Sequence, residues 1–136
     1  MLGLESTHAS DKINCIANPI DCARVYECKK EATDAANKFG YQKDGTPQNA
    51  YKHCYWNCCM AKIIGPVEAK KFGDAHENYP GNNSCDKDMD LWNNEQGRKV
   101  TGSTTCDSHC DNAPLQKWRK CQPCGLDPWG SAPKPW

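Results

Sequence analysis

The pattern of polar and apolar positions predicts a helical chain, because no segment has the strict alternation that marks a strand. Residues 21–38 are rich in Ala, Glu and Lys and stop before Gly40, which predicts a first helix. The strongest start signal is Thr46-Pro47, a capping hydroxyl followed by proline at the first helical position. A long central helix is therefore predicted from this point to Ile64.

Gly65-Pro66 ends the central helix and begins the next one after a very short connection. This next helix is predicted to extend to about Asn78, and the pair is typical of an αα-hairpin. Another helix is predicted over residues 86–98, with acidic residues in its first turn. The predicted fold class is thus a mainly α, small disulfide-rich helical domain built on a central αα-hairpin with a third helix packed on it.

The composition indicates what must hold these helices together. Leu, Ile, Val and Phe supply only 15 of the 136 residues, too few for apolar burial alone to offset the entropy of folding. Eleven cysteines supply a covalent framework instead, which predicts an oxidising compartment; because the number is odd, one cysteine is left over or joins another chain. We predict a single domain over residues 1–126 and a Pro-rich flexible tail over residues 127–136.

The chain beyond Gly102 is expected to be loop-like, with a short helix near residues 115–120. Four of its cysteines, with a histidine beside them, have spacings that suit a tetrahedral zinc ion, although two disulfides are the favoured interpretation. These residues are Cys106, Cys110, Cys121, Cys124 and His109. In the central helix Cys54 and Cys58 share one face and Cys59 points elsewhere, which predicts attachment to two different neighbours.

The charges and the start of the chain narrow the range of partners. The 17 basic and 17 acidic side chains cancel, whereas nucleic-acid binders normally carry a basic excess, so nucleic acid is not the expected partner. No run of about 18 apolar residues suits a membrane span. The first residues lack the pattern of a signal peptide, so we expect either that export information is trimmed away or that the domain leaves the cell within a larger protein.

The hairpin brings together candidates for catalysis. His53 lies 12 residues before Gly65 and Glu77 lies 12 residues after it, so the two reach the same height along the paired helices. Asp74 shares a face with Glu77, and we predict that one of these acids orients His53 as a general base. His76 is a further catalytic candidate, although its spacing directs it to another face unless the helix end frays.

Two polar rows accompany these residues. On the central helix Asn49 and Asn57 lie one turn to either side of His53, which its aromatic and cysteine neighbours are expected to bury in part. The next row consists of Asp86, Asp90, Asn93, Asn94 and Gly97. Asp90 with either asparagine could orient a substrate or hold a hard divalent cation such as Ca²⁺ or Mg²⁺ through oxygen ligands. The alternative is that these rows are solvated helix faces.

Three strings occur in order within residues 47–98, namely NAYKHCYWNC (49–58), FGDAHE (72–77) and MDLWNNEQGR (89–98). Together they resemble a toxin-like module found at the C-termini of bacterial Rhs and other polymorphic-toxin proteins. Leu2-Gly3-Leu4 is similar to the end of the junction at which an Rhs shell is cut from its toxin.

The resemblance implies an antibacterial effector, carried by a parent Rhs shell and secretion machinery and neutralised in the producing cell by a cognate immunity protein. It does not specify the reaction. The positions that match the motifs are His53, Asp74, His76, Glu77, Asp90, Asn93, Asn94 and Arg98.

A second resemblance, to small secreted phospholipases, concerns the helical His53 followed by Tyr55 and Cys58, with Asp74 as its partner. Cys54 stands where those enzymes carry a calcium-binding Asp, and no glycine-rich loop precedes it.

The expected function is therefore that of a secreted hydrolase, delivered to the periplasm of a target cell, that acts on an envelope component such as phospholipid. The alternatives are a metal-dependent nuclease built on His53, His76 and Asp90, and a non-enzymatic module that binds or perturbs membranes.

Overall fold

Five α-helices make up the part of the chain that the computed structural model describes, residues 19–40, 46–78 and 84–117. In chain order they are α1 (Pro19–Ala36), α2 (Pro47–Ile64), α3 (Pro66–Glu77), α4 (Ser84–Arg98) and α5 (Cys106–Asn112), with a 3-10 turn, Asn37–Phe39, after α1. The described ranges contain no strand and are cross-linked by disulfides, which confirms the predicted fold class.

The central helix is α2, because each of the other four helices packs against it. It begins as predicted, with the Thr46 hydroxyl accepting a hydrogen bond from the backbone N–H of Asn49 at 3.4 Å and a proline at the first helical position. It ends as predicted at Ile64, since Gly65 has a φ of 87° that side-chain-bearing residues rarely adopt. Pro66 then starts α3, so one residue connects the two helices of the hairpin.

The core lies in two clusters around α2. The first fills the space between α1, α2 and α3 and contains Val25, Trp56, Met60 and Phe72, with the Trp56 indole N–H donating to the Val25 carbonyl at 3.1 Å. The second lies between α2 and α5 and consists largely of Tyr51 and four disulfide-bonded cysteines. Sulfur thus occupies interior space that aliphatic side chains fill in most domains of this size.

Three disulfides fasten α2 to its neighbours. They are Cys28–Cys59, which joins α1 to α2, and Cys54–Cys110 and Cys58–Cys106, which join α2 to α5. Cys54 and Cys58 thus form disulfides with one neighbouring helix and Cys59 with another, as predicted. Cys22 is also disulfide-bonded, and none of the cysteines whose side chains are described is free.

The region after Gly102 differs from the expectation. Cys106 and Cys110 are not zinc ligands, because their sulfurs are bonded to cysteines of α2 and are not thiolates. This region also contains the short helix α5, which begins at a Thr105 side-chain cap, whereas residues 113–117 of the described chain are not helical. The predicted tail, the Leu2-Gly3-Leu4 junction, Cys121 and Cys124 lie outside the described residues. None of the described helices combines the length and the apolar character required to cross a bilayer.

Gly97 marks a close approach of α4 to α2. A Cβ atom built on it would overlap the carbonyl oxygen of Cys54, and helix backbone cannot move aside as a flexible side chain can. We predict that Gly97→Ala lowers the free energy of unfolding by about 2 kcal/mol or more, although alanine favours a helix by about 1 kcal/mol over glycine.

Urea denaturation of the oxidised protein measures this change, with Asp88→Ala, at an exposed position of the same helix, as the control. The control is expected to stay within about 0.5 kcal/mol of the parent. Equal stability of Gly97→Ala and the parent would contradict the close approach.

Candidate active site: a histidine beside two carboxylates

Three helices meet at the imidazole of His53, which lies on α2. Its Nδ1 is 3.7 Å from Glu77 Oε2 on α3, and its Nε2 is 3.4 Å from Asp90 Oδ1 on α4. The side chains of His53, Glu77 and Asp90 are 11%, 2% and 13% exposed. These three residues, called the centre below, are therefore nearly buried yet retain contact with solvent. The predicted convergence of polar residues on His53 thus takes the form of one imidazole beside two carboxylates, which also contact each other.

Asn94 sets the tautomer of this imidazole. Its Nδ2 donates to the Gly73 carbonyl at 3.4 Å, which directs its Oδ1 to His53 Nδ1 at 2.9 Å. Because an amide oxygen only accepts hydrogen bonds, Nδ1 carries the proton in this pair. In the neutral ring the lone pair is therefore on Nε2, on the side that faces Asp90.

A chain of hydrogen bonds supports the backbone beneath the histidine. Arg98 Nη1 donates to Asn57 Oδ1 at 2.7 Å, and Asn57 Nδ2 donates to the carbonyl of His53 at 3.0 Å. Asn57 also comes close to α3, because a Cβ on Gly73 would lie 2.7 Å from its Oδ1. A glycine at position 73 lets α3 approach closely enough for Glu77 to reach the imidazole.

The electrostatics of the centre are dominated by Glu77. The pKa of its carboxyl is raised to about 7, chiefly because burial removes the hydration of the charged form. Positive charge on His53 and His76 opposes this rise, whereas the negative charge of Asp90 and a hydrogen bond shared with it contribute to it. Glu77 therefore exchanges a proton near neutral pH, the range in which acid–base catalysis is most effective.

A groove of about 390 Å³ lies along α3 and α4, and its lining includes Asn78 and Leu91 but not His53, Glu77 or Asp90. It carries three cationic and two acidic side chains. These are Lys70, Lys87, Arg98, Asp74 and Glu95. The excess of cationic groups suits a ligand that bears a phosphate or carboxylate.

The other predicted site residues have different surroundings. Asp74 pairs with Lys70 on the groove, so it is Glu77 of the two acids that contacts His53. The ring of His76 packs edge-on against Trp56, with 5.2 Å between the ring centroids. The centroids of the His76 and His53 rings are 6.5 Å apart, so His76 lies beside the centre.

Asn49 and Asn93 are both buried. Asn93 uses its amide to hold the chain after α5, because its Nδ2 donates to the Gln116 carbonyl at 2.9 Å and its Oδ1 accepts from the Gln116 N–H at 2.8 Å. These bonds engage the same side-chain amide that we predict to bind substrate or an ion.

Two residues that support the centre, Asn57 and Gly73, were not among the predicted site residues. Asn57 supports the backbone of His53, and Gly73 permits the close approach of α3 that brings Glu77 to the imidazole. The signal for Asn57 was its spacing of one turn from His53 on the same helix face.

One comparison with known proteins identifies a family. The family model of a domain of unknown function, DUF6973, matches residues 12–117 of the chain. No curated protein and no solved structure matches it.

The raised pKa of Glu77 predicts a pH-dependent cost in stability. Since the folded-state pKa of about 7 exceeds the ordinary value of 4.5, stability falls as pH rises between these values. Glu77→Gln removes the charge. We therefore expect the free energy of unfolding of the variant to exceed that of the parent by on the order of 2 kcal/mol at pH 8 and to equal it below pH 4.5.

Urea denaturation at pH 4, 6 and 8, in EDTA to exclude stray cations, measures this difference. Glu27→Gln, at an exposed position of α1, is the control and should show no such trend. If the free energy of unfolding of Glu77→Gln minus that of the parent is no larger at pH 8 than at pH 4, the charged Glu77 carboxylate does not destabilise the fold as predicted.

Proposed function

We propose that this chain, which belongs to the DUF6973 family because the family model matches most of its length, is a hydrolase and the toxic effector domain of a larger polymorphic toxin. The family description carries no activity. The observation that carries the proposal is the imidazole of His53 in contact with the carboxylates of Glu77 and Asp90, in a centre that is almost buried but still reaches solvent.

The chemistry that suits this arrangement is the activation of water. The centre takes a proton from a water molecule while the water oxygen attacks an ester carbon or phosphorus atom. The bond from that atom to the leaving oxygen breaks, and a proton returns to the leaving oxygen. Fixed helices hold the three groups, so they need little rearrangement during the reaction.

The substrate class that we propose is a phospholipid of the bacterial envelope. The cations of the groove suit a phosphate-bearing head group, whereas the zero net charge disfavours a nucleic acid, whose many phosphates attract basic proteins. The disulfides require an oxidising compartment, which agrees with delivery into the periplasm of a target cell.

The effector role is supported by the three strings that resemble toxin modules of Rhs proteins, which span the helices bearing the centre. In this proposal the domain reaches its target as cargo of a parent Rhs shell, and a cognate immunity protein protects the producing cell. Reading the centre as an active site also gives a reason for the burial of so many polar groups in a small domain.

A vesicle assay tests the proposed function. Purified oxidised protein is incubated with phospholipid vesicles, and the release of fatty acid and of head group is measured. We expect Asp90→Asn to reduce the release at least 100-fold. The matched control Asp88→Asn, two residues away at an exposed position of the same helix, is expected to retain it.

Parallel incubations with plasmid DNA and total RNA, and growth after expression in the bacterial cytoplasm or periplasm, separate the alternatives. Cleavage of nucleic acid without lipid release would replace the proposed substrate by that of a nuclease toxin. Periplasmic toxicity that survives Asp90→Asn would overturn the enzymatic proposal in favour of a non-enzymatic module.

A further inference from the structure

The separations within the centre are those of ligands around a single metal ion. One ligand atom from each of His53, Glu77 and Asp90 lies within 4.8 Å of the other two. Two ligands that are each about 2.1 Å from an ion are about 3.0–3.5 Å apart in octahedral or tetrahedral geometry. The separation of 3.4 Å between His53 Nε2 and Asp90 Oδ1 falls in this range.

The imidazole is already oriented for coordination. A histidine that binds a metal through one nitrogen usually donates the N–H of the other to an oxygen acceptor, which fixes the tautomer and the ring plane. The bond from His53 Nδ1 to Asn94 Oδ1, at 2.9 Å, has this character. Asn94 and Asp90 lie one turn apart on α4, so the same rigid helix holds a ligand and the group that orients the histidine.

The charges also favour a cation. Two carboxylates in mutual contact repel each other when both are ionised, and a buried position strengthens that repulsion. A dication between them removes the repulsion and accepts electron density from both. Among the described residues another cluster with metal-ligand composition exists, Cys28, Glu31 and Cys59, but its two sulfurs are bonded to each other.

The ligand types indicate the class of ion. Ca²⁺ and Mg²⁺ prefer oxygen ligands throughout, and Ca²⁺ takes six to eight of them. A set of one imidazole nitrogen and two carboxylates suits Mn²⁺, Zn²⁺ or a similar transition-series dication. This assignment departs from the hard cation that the oxygen-rich sequence row indicated. Three protein ligands leave a position for water.

We propose that His53 Nε2 and the carboxylates of Asp90 and Glu77 bind one transition-series dication. The proposal rests on the proposed hydrolase function and specifies how its water is activated. In place of proton transfer to the centre, the bound water would release a proton to solvent, and the resulting hydroxide would attack the ester. The bond to the leaving oxygen breaks, and that oxygen takes a proton from water.

Binding of Mn²⁺ to the full chain tests the proposal without any substrate. Protein stripped with EDTA and freed of it is titrated with MnCl₂, and free Mn²⁺ is followed by electron paramagnetic resonance. We expect one ion per chain, competition by Zn²⁺, and affinity at least tenfold weaker for Ca²⁺ or Mg²⁺. Asp90→Asn and His53→Gln are each expected to weaken binding at least tenfold, while Asp88→Asn leaves it unchanged.

Circular dichroism establishes whether each variant is folded. For the unmutated chain, Mn²⁺ is expected to broaden the ¹⁵N-correlated ring signals of His53 before those of His109, which bonds to the Gln96 carbonyl on another part of the domain. This measurement keeps the test valid if a variant unfolds. Absence of saturable binding, or binding that Asp90→Asn leaves intact, would overturn the metal site.

The hydrolysis assay separates failure of the metal site from failure of the proposed function. Lipid release that persists in EDTA, with no Mn²⁺ binding, would overturn the metal site and leave His53 as the direct base. Specific Mn²⁺ binding with no hydrolysis of any substrate would support the site and overturn the hydrolase.

Discussion

The structure depends on one constraint, which is that each of the other four helices is held in a fixed position against α2. Disulfides join α1 and α5 to it, one residue joins α3, and α4 crosses it where Gly97 allows contact of the backbones. In a domain rich in aliphatic residues, apolar burial would hold these positions. Here covalent bonds and close backbone packing do so, and the interior is left available for polar groups.

That interior is stabilised by pairing polar groups with one another. Arg98 bonds to Asn57, Asn57 to the backbone of His53, and Asn94 to both His53 and Gly73. Each of these bonds offsets the loss of hydration that burial imposes. The network also restricts the motion of the imidazole, so the interactions that stabilise the fold position the candidate site as well.

The sequence predicted the parts of this fold that local signals determine. The cap at Thr46 and the break at Gly65 bounded α2, and equal distances from that break paired His53 with Glu77. The short helix α5 was not predicted, because seven residues form a stable helix mainly through tertiary contacts, here two disulfides to α2.

The site was predicted less completely than the fold. Asn93 and Asn94 are adjacent in sequence, and a helix turns by about 100° between them, so only one faces His53. Which one does so depends on the rotation of α4 against α2, and nothing in its own sequence specifies that rotation. The choice of Glu77 over Asp74 depends in the same way on the approach of α3 at Gly73.

The single residue that joins α2 to α3 limits how the sequence can change during evolution. His53 and Glu77 are 24 positions apart, and all but one of the 23 residues between them are helical, so this segment behaves as two rigid helices with a fixed bend. An insertion or deletion of one residue in α3 would rotate Glu77 by about 100° and shift it by about 1.5 Å. Relatives that keep this centre must therefore keep the length of this segment, and their variation in length must fall elsewhere in the chain.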